Sequence, residues 1–586
     1  MDRFTRRRSS IPRPFHAVVL VVGLLLSSAP THGDVRALWD LQAVRSEPLD
    51  VKVLEDKPGL DVTFPHRALH LTYLSQRWKG QDIRIEAFVV IPIRRDGRVP
   101  GVLSLHGHGG AGSLDDARNR AKEFKGVGMS ISGPGQGKST GRRDCTGHWI
   151  DCVDDPRDSF MYQYPYAAMR AITYLSSLDE VDPKRIGIIG GSMGAMCTII
   201  VNGLDSRVAA AVPVSGSGSY EPEMRAGKTW FSRLILDALK VEADHPSVQA
   251  FLKNFDPIHY APTQHGACLM VCGAQDEPFP ITSLTRTFEK MPKHCRLTAV
   301  YDCNHGGFTG PNDEFKMYDN REQWGRRVFG TAHGWLHKHL DPPTSRRASP
   351  TVPNMPTLSL HVGKENTVRF RLDADASLPI VRVLLCWSLD GSYTFHKAVM
   401  DKRQPAVFEL SVILHPAERD ALCAFGEVEY PDNFFLTSVP HFGPTFDVQV
   451  RRTRFSEDVY RRELPTDQAI AEYKKALAAA SGPVAERLER QYQLARFCAA
   501  AGRPDEAIRL FEDILQRDKE LTNNVLIPNA LYHQAAILYE QGQAERAIAN
   551  LERAIRLYPS CDHLDSTEIP RARDLLNKIR SSSKPR

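Results

Sequence analysis

The stretch RIGIIGGSMGAMCTIIV, residues 185–201, places one serine between the signals of a buried strand and those of a helix. Its first part is an apolar run with β-branched residues, and its last part continues as an apolar helix. Gly190 and Gly194 lie two residues before and two after Ser192, a spacing that permits a sharp strand-to-helix turn and lifts the serine hydroxyl out of the backbone. The stretch therefore predicts a nucleophilic serine on an α/β fold.

The segments on both sides of this stretch alternate between strand-like and helix-like patterns. Short apolar runs occur from about residue 60 to 340, and helical patterns separate them. Runs that are buried on both faces, with helices between them, are typical of a parallel sheet. We therefore predict an α/β domain over residues 34–340. Its predicted strands include AFVVIPI, VPGVLSLHG, VGMSIS, RIGIIGG, AVPVSG, CLMVCG and LTAVYD.

Two further residues have the chemistry and the position of partners for Ser192. A serine hydroxyl is a poor nucleophile at neutral pH and needs a general base, together with a group that orients the base. Asp276 follows the run CLMVCG and His305 follows LTAVYD, so both should lie on loops after later strands. The order serine, acid, histidine is the one expected in this type of fold. Ser192, Asp276 and His305 are the predicted catalytic residues, and Glu277 and Asp302 are rival acids.

The backbone should provide the donors for a developing oxyanion. Met193 N–H lies at the start of the helix that follows the serine, and the loop in LSLHGHGG follows an earlier strand. One donor is expected from each of these two places. Met193 and His108 are therefore the predicted oxyanion-hole residues, and only the backbone of His108 is assigned a role.

The stretch GPGQGKST, residues 133–140, has the glycines, lysine and serine of a phosphate-binding loop. Such a loop needs four residues between its first glycine and the Gly-Lys-Ser/Thr group, and here that first position is Ser132. The residues that follow, TGRRDCTGHW, lack apolar residues at helical spacing, so no helix N-terminus would face a phosphate. The sequence argues against a nucleotide-binding site.

Five motifs within residues 60–340 occur in the order HGHGG, GPGQGKS, GGSMG, GAQDEPFP and NHGGF. In them the region resembles the α/β-hydrolase superfamily, most closely acetyl xylan esterases and cephalosporin deacetylases, and then dienelactone-hydrolase-like and prolyl-oligopeptidase-like proteins. The resemblance implies an α/β-hydrolase fold and ester hydrolysis, and it implies that GPGQGKS is a structural turn near the active site. This sequence has Pro134, Met193 and Gly307 where that family has Arg, Gln and often Glu.

The rest of the chain changes character twice. Residues 341–356 are rich in proline and read as a linker, and residues 357–452 have alternating segments that predict a small β-sandwich. Residues 463–580 are helical and repetitive, because GRPDEAIRLFEDIL (502–515) aligns with GQAERAIANLERAI (542–555) at a spacing of 40 residues. This pattern resembles tetratricopeptide repeats, which implies a surface for a protein partner, and generic helical hairpins are the alternative.

Composition and the N-terminal sequence indicate the cellular compartment and limit the classes of binding partner. The net charge of +5 over 586 residues gives no strong field, which argues against a nucleic-acid partner. The basic segment MDRFTRRRSSIPRPF precedes the short apolar run AVVLVVGLLLSSA, which predicts a signal peptide over residues 1–33 and an exported protein; an uncleaved membrane anchor is the alternative. Cys145 and Cys152 could form a disulfide after export.

Together these features predict an exported serine hydrolase that cleaves carboxylic esters, such as those of acetylated carbohydrates, through an acyl-enzyme and without a metal or an organic cofactor. One alternative is a peptidase of the prolyl-oligopeptidase type, although the chain has no large N-terminal segment for a propeller domain. A second alternative is an inactive scaffold that binds partners through its repeats. The complete set of Ser192, Asp276 and His305 argues against the scaffold.

Overall fold

The computed structural model describes residues 35–59, 63–305, 321–341, 351–449, 460–481, 484–521, 524–561 and 568–582. The predicted signal peptide, Gly307 and most of the predicted linker lie outside these ranges. Within them, no helix has the length and apolar character needed to cross a bilayer.

A nine-stranded sheet forms the centre of the first region. Its strands, in chain order, are β1 (Lys52–Pro58), β2 (His66–Trp78), β3 (Gln81–Pro92), β4 (Val99–Leu105), β5 (Val127–Ile131), β6 (Val181–Gly191), β7 (Val208–Val214), β8 (Ala267–Gly273) and β9 (Arg296–Val300). Their order across the sheet is β1-β2-β3-β5-β4-β6-β7-β8-β9. Strands β4 to β9 are parallel, which confirms the predicted α/β fold class.

Strands β1, β2 and β3 are antiparallel, and β3 is also antiparallel to β5. The run AFVVIPI, expected in a parallel sheet, therefore belongs to an antiparallel extension. The reason is the turn between β2 and β3, where Lys79 and Gly80 have φ angles of 48° and 76°. A two-residue turn with positive φ at both positions joins antiparallel strands, whereas parallel strands need a long crossover.

Helices pack on both faces of this sheet. They are α1 (Leu41–Ser46), α2 (Leu114–Phe124), α3 (Thr146–Trp149), α4 (Phe160–Ser177), α5 (Met193–Leu204), α6 (Glu221–Arg225), α7 (Pro246–Phe255), α8 (Ile281–Phe288) and α9 (Thr331–Leu340). Neighbouring residues of β4 point to opposite faces: Leu103 joins the apolar core with α4 and α5, and Val102 joins the core with α9. The ends of β4, β6, β8 and β9, where the predicted site residues follow, thus lie along one edge of a buried sheet.

The second region contains two antiparallel sheets. One has the order β10-β11-β15-β14 and the other β13-β12-β16-β17. Their strands are β10 (Thr357–Val362), β11 (Thr367–Asp373), β12 (Arg382–Ser388), β13 (His396–Val399), β14 (Asp401–Gln404), β15 (Val407–Ile413), β16 (Cys423–Tyr430), β17 (Phe434–Thr437) and β18 (His441–Phe442), with helix α10 (Pro416–Asp420) between β15 and β16. At the end of the region 357–452, for which alternating strands were predicted, residues 447–449 are irregular.

Strand β17 lies against the edge strand β9 of the large sheet. Thr298 Oγ1 donates to Phe435 O at 2.6 Å, and Ala299 N–H donates to Thr437 Oγ1 at 3.0 Å. An uncovered edge strand exposes unpaired backbone groups. The contact with β17 gives Ala299 N–H a hydrogen-bond acceptor and so covers part of β9, the strand that precedes His305.

The third region consists of antiparallel helices, which confirms the predicted repeats. Its helices are α11 (Thr466–Ala478), α12 (Val484–Ala500), α13 (Pro504–Leu515), α14 (Leu526–Glu540), α15 (Ala544–Leu557) and α16 (Glu568–Ser582). Gly502 and Gly542 adopt φ angles of 73° and 78° in the turns before α13 and α15, and Ala507 and Ala547 are buried between paired helices. The aligned repeat sequences therefore occupy equivalent places.

All eleven cysteines are free, including Cys145 and Cys152. The suggested disulfide is therefore absent from the structure. The buried Cys152 Sγ lies 3.8 Å from Ser247 O, whereas Cys145 is the N-cap residue before the short helix α3. Burial raises the pKa of the Cys152 thiol to about 12, so this thiol stays protonated at neutral pH.

A buried ion pair joins the first two regions and generates a stability prediction. Arg327 donates to both carboxylate oxygens of Glu427 at 3.0 and 3.2 Å, and both side chains are buried. Removing one member of a buried ion pair costs about 3–5 kcal/mol. We expect Glu427→Gln to lower the free energy of unfolding by that amount in chemical denaturation. Asp373→Asn breaks an exposed ion pair and should cost less than about 1 kcal/mol; equal losses in the two variants would contradict the prediction.

Candidate active site

Ser192 occupies a strained turn between β6 and α5. Its φ and ψ angles are 56° and −121°, values that a residue with a side chain rarely adopts. Its amide donates to Val214 O at 3.0 Å, which ties the turn to the end of β7. The predicted strand-to-helix turn is therefore present, with its serine at the carboxyl edge of the sheet.

Two glycines make this turn sterically feasible. A Cβ atom on Gly190 would lie 2.3 Å from Gly194 O, and one on Gly194 would lie 2.4 Å from Leu105 O. Real Cβ atoms do not approach backbone oxygens that closely, so neither position accepts a larger residue without backbone movement. Gly191 differs, because a Cβ atom there would meet no atom within 4 Å. Close packing of α5 against the end of β4 thus depends on Gly190 and Gly194.

The structure brings the three predicted catalytic side chains into one hydrogen-bonded chain. His305 Nε2 lies 2.9 Å from Ser192 Oγ, and His305 Nδ1 lies 2.9 Å from Asp276 Oδ2. Asp276 follows β8 and His305 follows β9. The buried Asp276 also accepts a hydrogen bond from Phe279 N–H at 2.9 Å, which fixes its orientation. The arrangement has the contacts that a nucleophile, a base and a base-orienting acid require.

The rival acids have different contacts. Asp302 Oδ2 accepts a hydrogen bond from Lys397 Nζ of the β-sandwich at 2.7 Å. Glu277 Oε2 accepts a hydrogen bond from the backbone N–H of His305 at 3.1 Å and so holds the main chain of the histidine rather than its ring. The sequence identified Glu277 as a possible acid but gave no sign of this backbone contact.

Burial and nearby carboxylates set the protonation of this cluster. Burial alone would lower the pKa of His305, but Asp276, through its charge and hydrogen bonds, and Glu277, through its charge, outweigh it and raise that pKa above its ordinary value. Burial, reinforced by the charge of Asp276, raises the pKa of Glu277 to about 7. Glu277 therefore changes charge near neutral pH, and His305 stays protonated to a higher pH than an ordinary histidine.

The HGHGG loop lies directly against the nucleophile. A Cβ atom on Gly107 would lie 3.2 Å from Ser192 Cβ and 3.8 Å from Ser192 Oγ. Within the described ranges, neither Met193 N–H nor His108 N–H has a hydrogen-bond acceptor. The side chain of His108 points elsewhere, to Asp144 and Glu463. Two unpaired backbone donors beside a serine are what an oxyanion hole needs.

The GPGQGKST stretch is a turn that supports this loop. Gly133 N–H donates to His106 Nε2 at 2.8 Å, and Lys138 N–H donates to the buried carboxylate of Glu86 at 3.1 Å. These two amide donors thus have acceptors within the protein and are not free to bind a phosphate. The contacts agree with the structural role that the motif's resemblance implied.

A cavity of about 290 Å³ opens beside Ser192 and His305. Its volume is close to the lower end of the range for small-molecule sites. Arg120 lines it and donates from Nη1 to His333 Nε2 at 2.9 Å, while Arg120 Nε has no acceptor among the described residues. Burial and the charge of Arg120 lower the pKa of His333 to about 4, so the histidine is neutral at pH 7 and can accept this hydrogen bond. The other lining residues include Gly107, Val214, Ser215, Trp324 and Phe329.

Comparison with known proteins agrees with this geometry. Residues 27–306 match the family model of acetyl xylan esterase. This part of the chain resembles the acetyl xylan esterase family. Residues 485–560 match a tetratricopeptide repeat model. A curated relative, "Acetyl esterase Axe7A" of Xylanibacter ruminicola, is 36% identical over 93 residues, which are 15% of this chain and 21% of the relative. The match thus spans about a fifth of that protein's length.

Two solved structures of similar proteins each cover 47% of the chain. The acetyl xylan esterase from Paenibacillus sp. R4 is 21% identical and covers 47% of this chain and 90% of its own, with a TM-score of 0.42. Acetyl xylan esterase 1 from Thermoanaerobacterium sp. is 20% identical and covers 47% of this chain and 88% of its own, with a TM-score of 0.40.

The packing around the turn at Ser192 predicts that alanine destabilises the protein at position 190 but not at position 191. Gly190→Ala should lower the free energy of unfolding by about 1–3 kcal/mol, because the added methyl group overlaps Gly194 O. Gly191→Ala is the matched control and should leave stability within about 0.5 kcal/mol. Chemical denaturation of both variants tests this. Equal losses of unfolding free energy in the two variants would mean that the close approach of α5 does not determine which residues the turn accepts.

The two titrating groups predict the pH dependence of ester hydrolysis. His305 must be neutral to accept a proton, so kcat/KM should fall as the pH drops through its raised pKa, with a midpoint above 6.5. Glu277→Gln removes a negative charge that favours protonated His305 and should move this midpoint to lower pH. Asp302→Asn, whose carboxylate pairs with Lys397, should leave the midpoint in place. A midpoint that rises or stays fixed in Glu277→Gln would oppose this account.

Proposed function

We propose that this protein is an exported serine hydrolase that removes small acyl groups from carbohydrate esters. The observation that carries the proposal is the continuous chain of hydrogen bonds from Ser192 Oγ through His305 to Asp276. The match to the acetyl xylan esterase family supports an ester as substrate, and the modest cavity beside Ser192 favours a small acyl group.

In the proposed reaction, Ser192 Oγ attacks the carbonyl carbon of the ester while His305 Nε2 takes the hydroxyl proton. Asp276 keeps the imidazole oriented and stabilises its positive charge. The carbonyl oxygen gains negative charge, which the amides of Met193 and His108 bind. His305 then gives its proton to the departing alcohol oxygen as the C–O bond breaks, which leaves an acyl group on Ser192.

Water completes the cycle. His305 removes a proton from a water molecule, whose oxygen attacks the acyl carbonyl, and the same histidine returns the proton to Ser192 Oγ as the carboxylic acid leaves. The scheme needs no metal and no organic cofactor. Met193 contributes only its amide, so its departure from the family's Gln leaves this step unchanged.

Two further parts of the proposal concern cellular localisation and protein partners. The basic segment followed by a short apolar run supports export, with cleavage near residue 33. The repeat helices resemble modules that present extended surfaces, which supports a protein partner bound at the C-terminal region.

Substitution of the triad tests the chemistry. Ser192→Ala and His305→Ala should each reduce kcat for an aryl acetate by a factor of about a thousand or more without loss of the folded state, because each removes a reacting group. Ser215→Ala is the matched control, since Ser215 lines the same cavity and its Oγ has no hydrogen-bond partner among the described residues, and it should keep most of the activity. Circular dichroism and thermal unfolding verify the folded state.

A substrate panel of acetylated xylo-oligosaccharides, aryl acetates, longer-chain aryl esters and peptides then separates the functional classes. Turnover of acetyl esters above the longer esters supports the proposal. Cleavage of peptides alone would favour the peptidase, and no turnover of any substrate by the folded protein would favour the scaffold.

A further inference from the structure

The side chain of His108 is held between two carboxylates from distant parts of the chain. Its Nδ1 donates to Asp144 Oδ1 at 2.8 Å and its Nε2 donates to Glu463 Oε1 at 2.7 Å, and its side chain is only 10% exposed. Burial lowers the pKa of His108, but the two carboxylates outweigh it and raise that pKa to about 10. The imidazole is therefore doubly protonated and positively charged at neutral pH, and both hydrogen bonds are charge-assisted.

Glu463 comes from the C-terminal region, 355 residues after His108. It lies at the end of the helical residues 460–463, just before α11. Its second oxygen, Oε2, accepts hydrogen bonds from Thr146 N–H at 3.1 Å and from Thr146 Oγ1 at 2.7 Å. Burial raises the pKa of Glu463, but the bonds from His108 and Thr146 outweigh it, so the side chain remains a carboxylate. A carboxylate that is only 10% exposed and accepts this many hydrogen bonds has a fixed orientation.

Neighbouring contacts hold the same segment against the α/β domain. The guanidinium of Arg233 lies 4.2 Å from the ring centre of Tyr460, and Leu464 is buried. On the far side of His108, Asp144 Oδ2 accepts a hydrogen bond from Gly109 N–H at 2.8 Å. The histidine and the residue after it are thus anchored from both sides.

These contacts matter because the amide of His108 is one of the two proposed oxyanion donors. Donors of this kind act by being in place before charge develops, and displacement by about 1 Å can cost up to a hundredfold in rate. An anchor on the His108 side chain limits rotation of the same peptide segment. A change at Glu463 should therefore reach the reacting oxygen without any contact between Glu463 and substrate.

We propose that Glu463 is a positioning residue, which fixes the oxyanion donor of His108 and makes the segment before the repeats part of the working hydrolase. The inference rests on the proposed function. It assigns an effect on kcat to a part of the chain that contributes no member of the triad.

Full-length Glu463→Gln and Glu463→Ala test the proposal with an aryl acetate. We expect kcat to fall by about 10- to 100-fold, the range found when a supporting hydrogen bond behind a reactive group is lost, and KM to change by less than about threefold. The amide in Glu463→Gln can still accept one hydrogen bond, so its loss should be the smaller one. Asp447→Asn is the matched control: Asp447 pairs with Lys228 of the α/β domain at 3.0 Å without reaching the HGHGG loop, and wild-type kcat is expected.

A double-mutant cycle separates positioning from general stability. Glu463→Gln is combined with His108→Asn, which keeps the backbone donor but removes the charged partner of Glu463. If Glu463 acts through His108, its substitution should change kcat less than about twofold in the His108→Asn background. Thermal unfolding of each variant shows whether the protein is folded at the assay temperature.

The outcomes are distinct. Unchanged kcat in folded Glu463→Gln, an equal loss in both backgrounds, or a loss confined to KM would overturn the role of Glu463 while leaving the proposed function intact if the wild type is active and Ser192→Ala is not. Absence of Ser192-dependent ester hydrolysis in the wild type would overturn both proposals.

Discussion

The left-handed turn at Ser192 is the constraint on which the rest of the active site depends. A residue with a side chain occupies this conformation at a cost, and it persists only when surrounding contacts determine it. Here those contacts are backbone ones: Ser192 N–H donates to the end of β7, and Gly194 packs against Leu105 O at the end of β4. The same close approach brings the HGHGG loop beside the serine hydroxyl, so nucleophile and proposed oxyanion donor are placed by one packing arrangement.

The HGHGG loop is held by polar contacts from several segments. Gln136 of the GPGQGKST turn donates to Gly110 O at 2.6 Å, Asp144 binds both Gly109 and His108, and Glu463 closes the set from the C-terminal region. Asp144 is buried and the side chains of His108 and Glu463 are each only 10% exposed, and polar groups with so little access to water need hydrogen-bond partners in the protein. The loop therefore depends on segments far away in sequence.

Sequence patterns were sufficient to predict those features of the fold and the site that depend on local signals. Apolar runs, the glycine spacing around Ser192, and the positions of Asp276 and His305 after strands predicted the fold class and the residues that the structure brings together. The sequence favoured Asp276 over Glu277, and the coordinates add that Asp276 contacts the ring of His305 whereas Glu277 contacts its backbone. The antiparallel extension could have been read from Lys79-Gly80, a turn signal between two alternating segments.

Other features had no local signal. The cover of β9 by β17 arises from packing between regions, and nothing around Glu463 marks it as a partner of His108. The cysteine spacing suggested a disulfide, yet it carries no information on the direction of the Cys152 side chain. Contacts between distant segments are set by the assembled fold, and periodicity within one segment does not encode them.

The most direct measurement is covalent labelling of the active wild-type protein with a serine-directed fluorophosphonate, followed by peptide mapping. Fluorophosphonates react with an activated serine, so the peptide that contains Ser192 should carry the label, and excess aryl acetate should slow its formation. Label on the peptide that contains Ser215, or an active protein that takes no label at Ser192, would contradict the account.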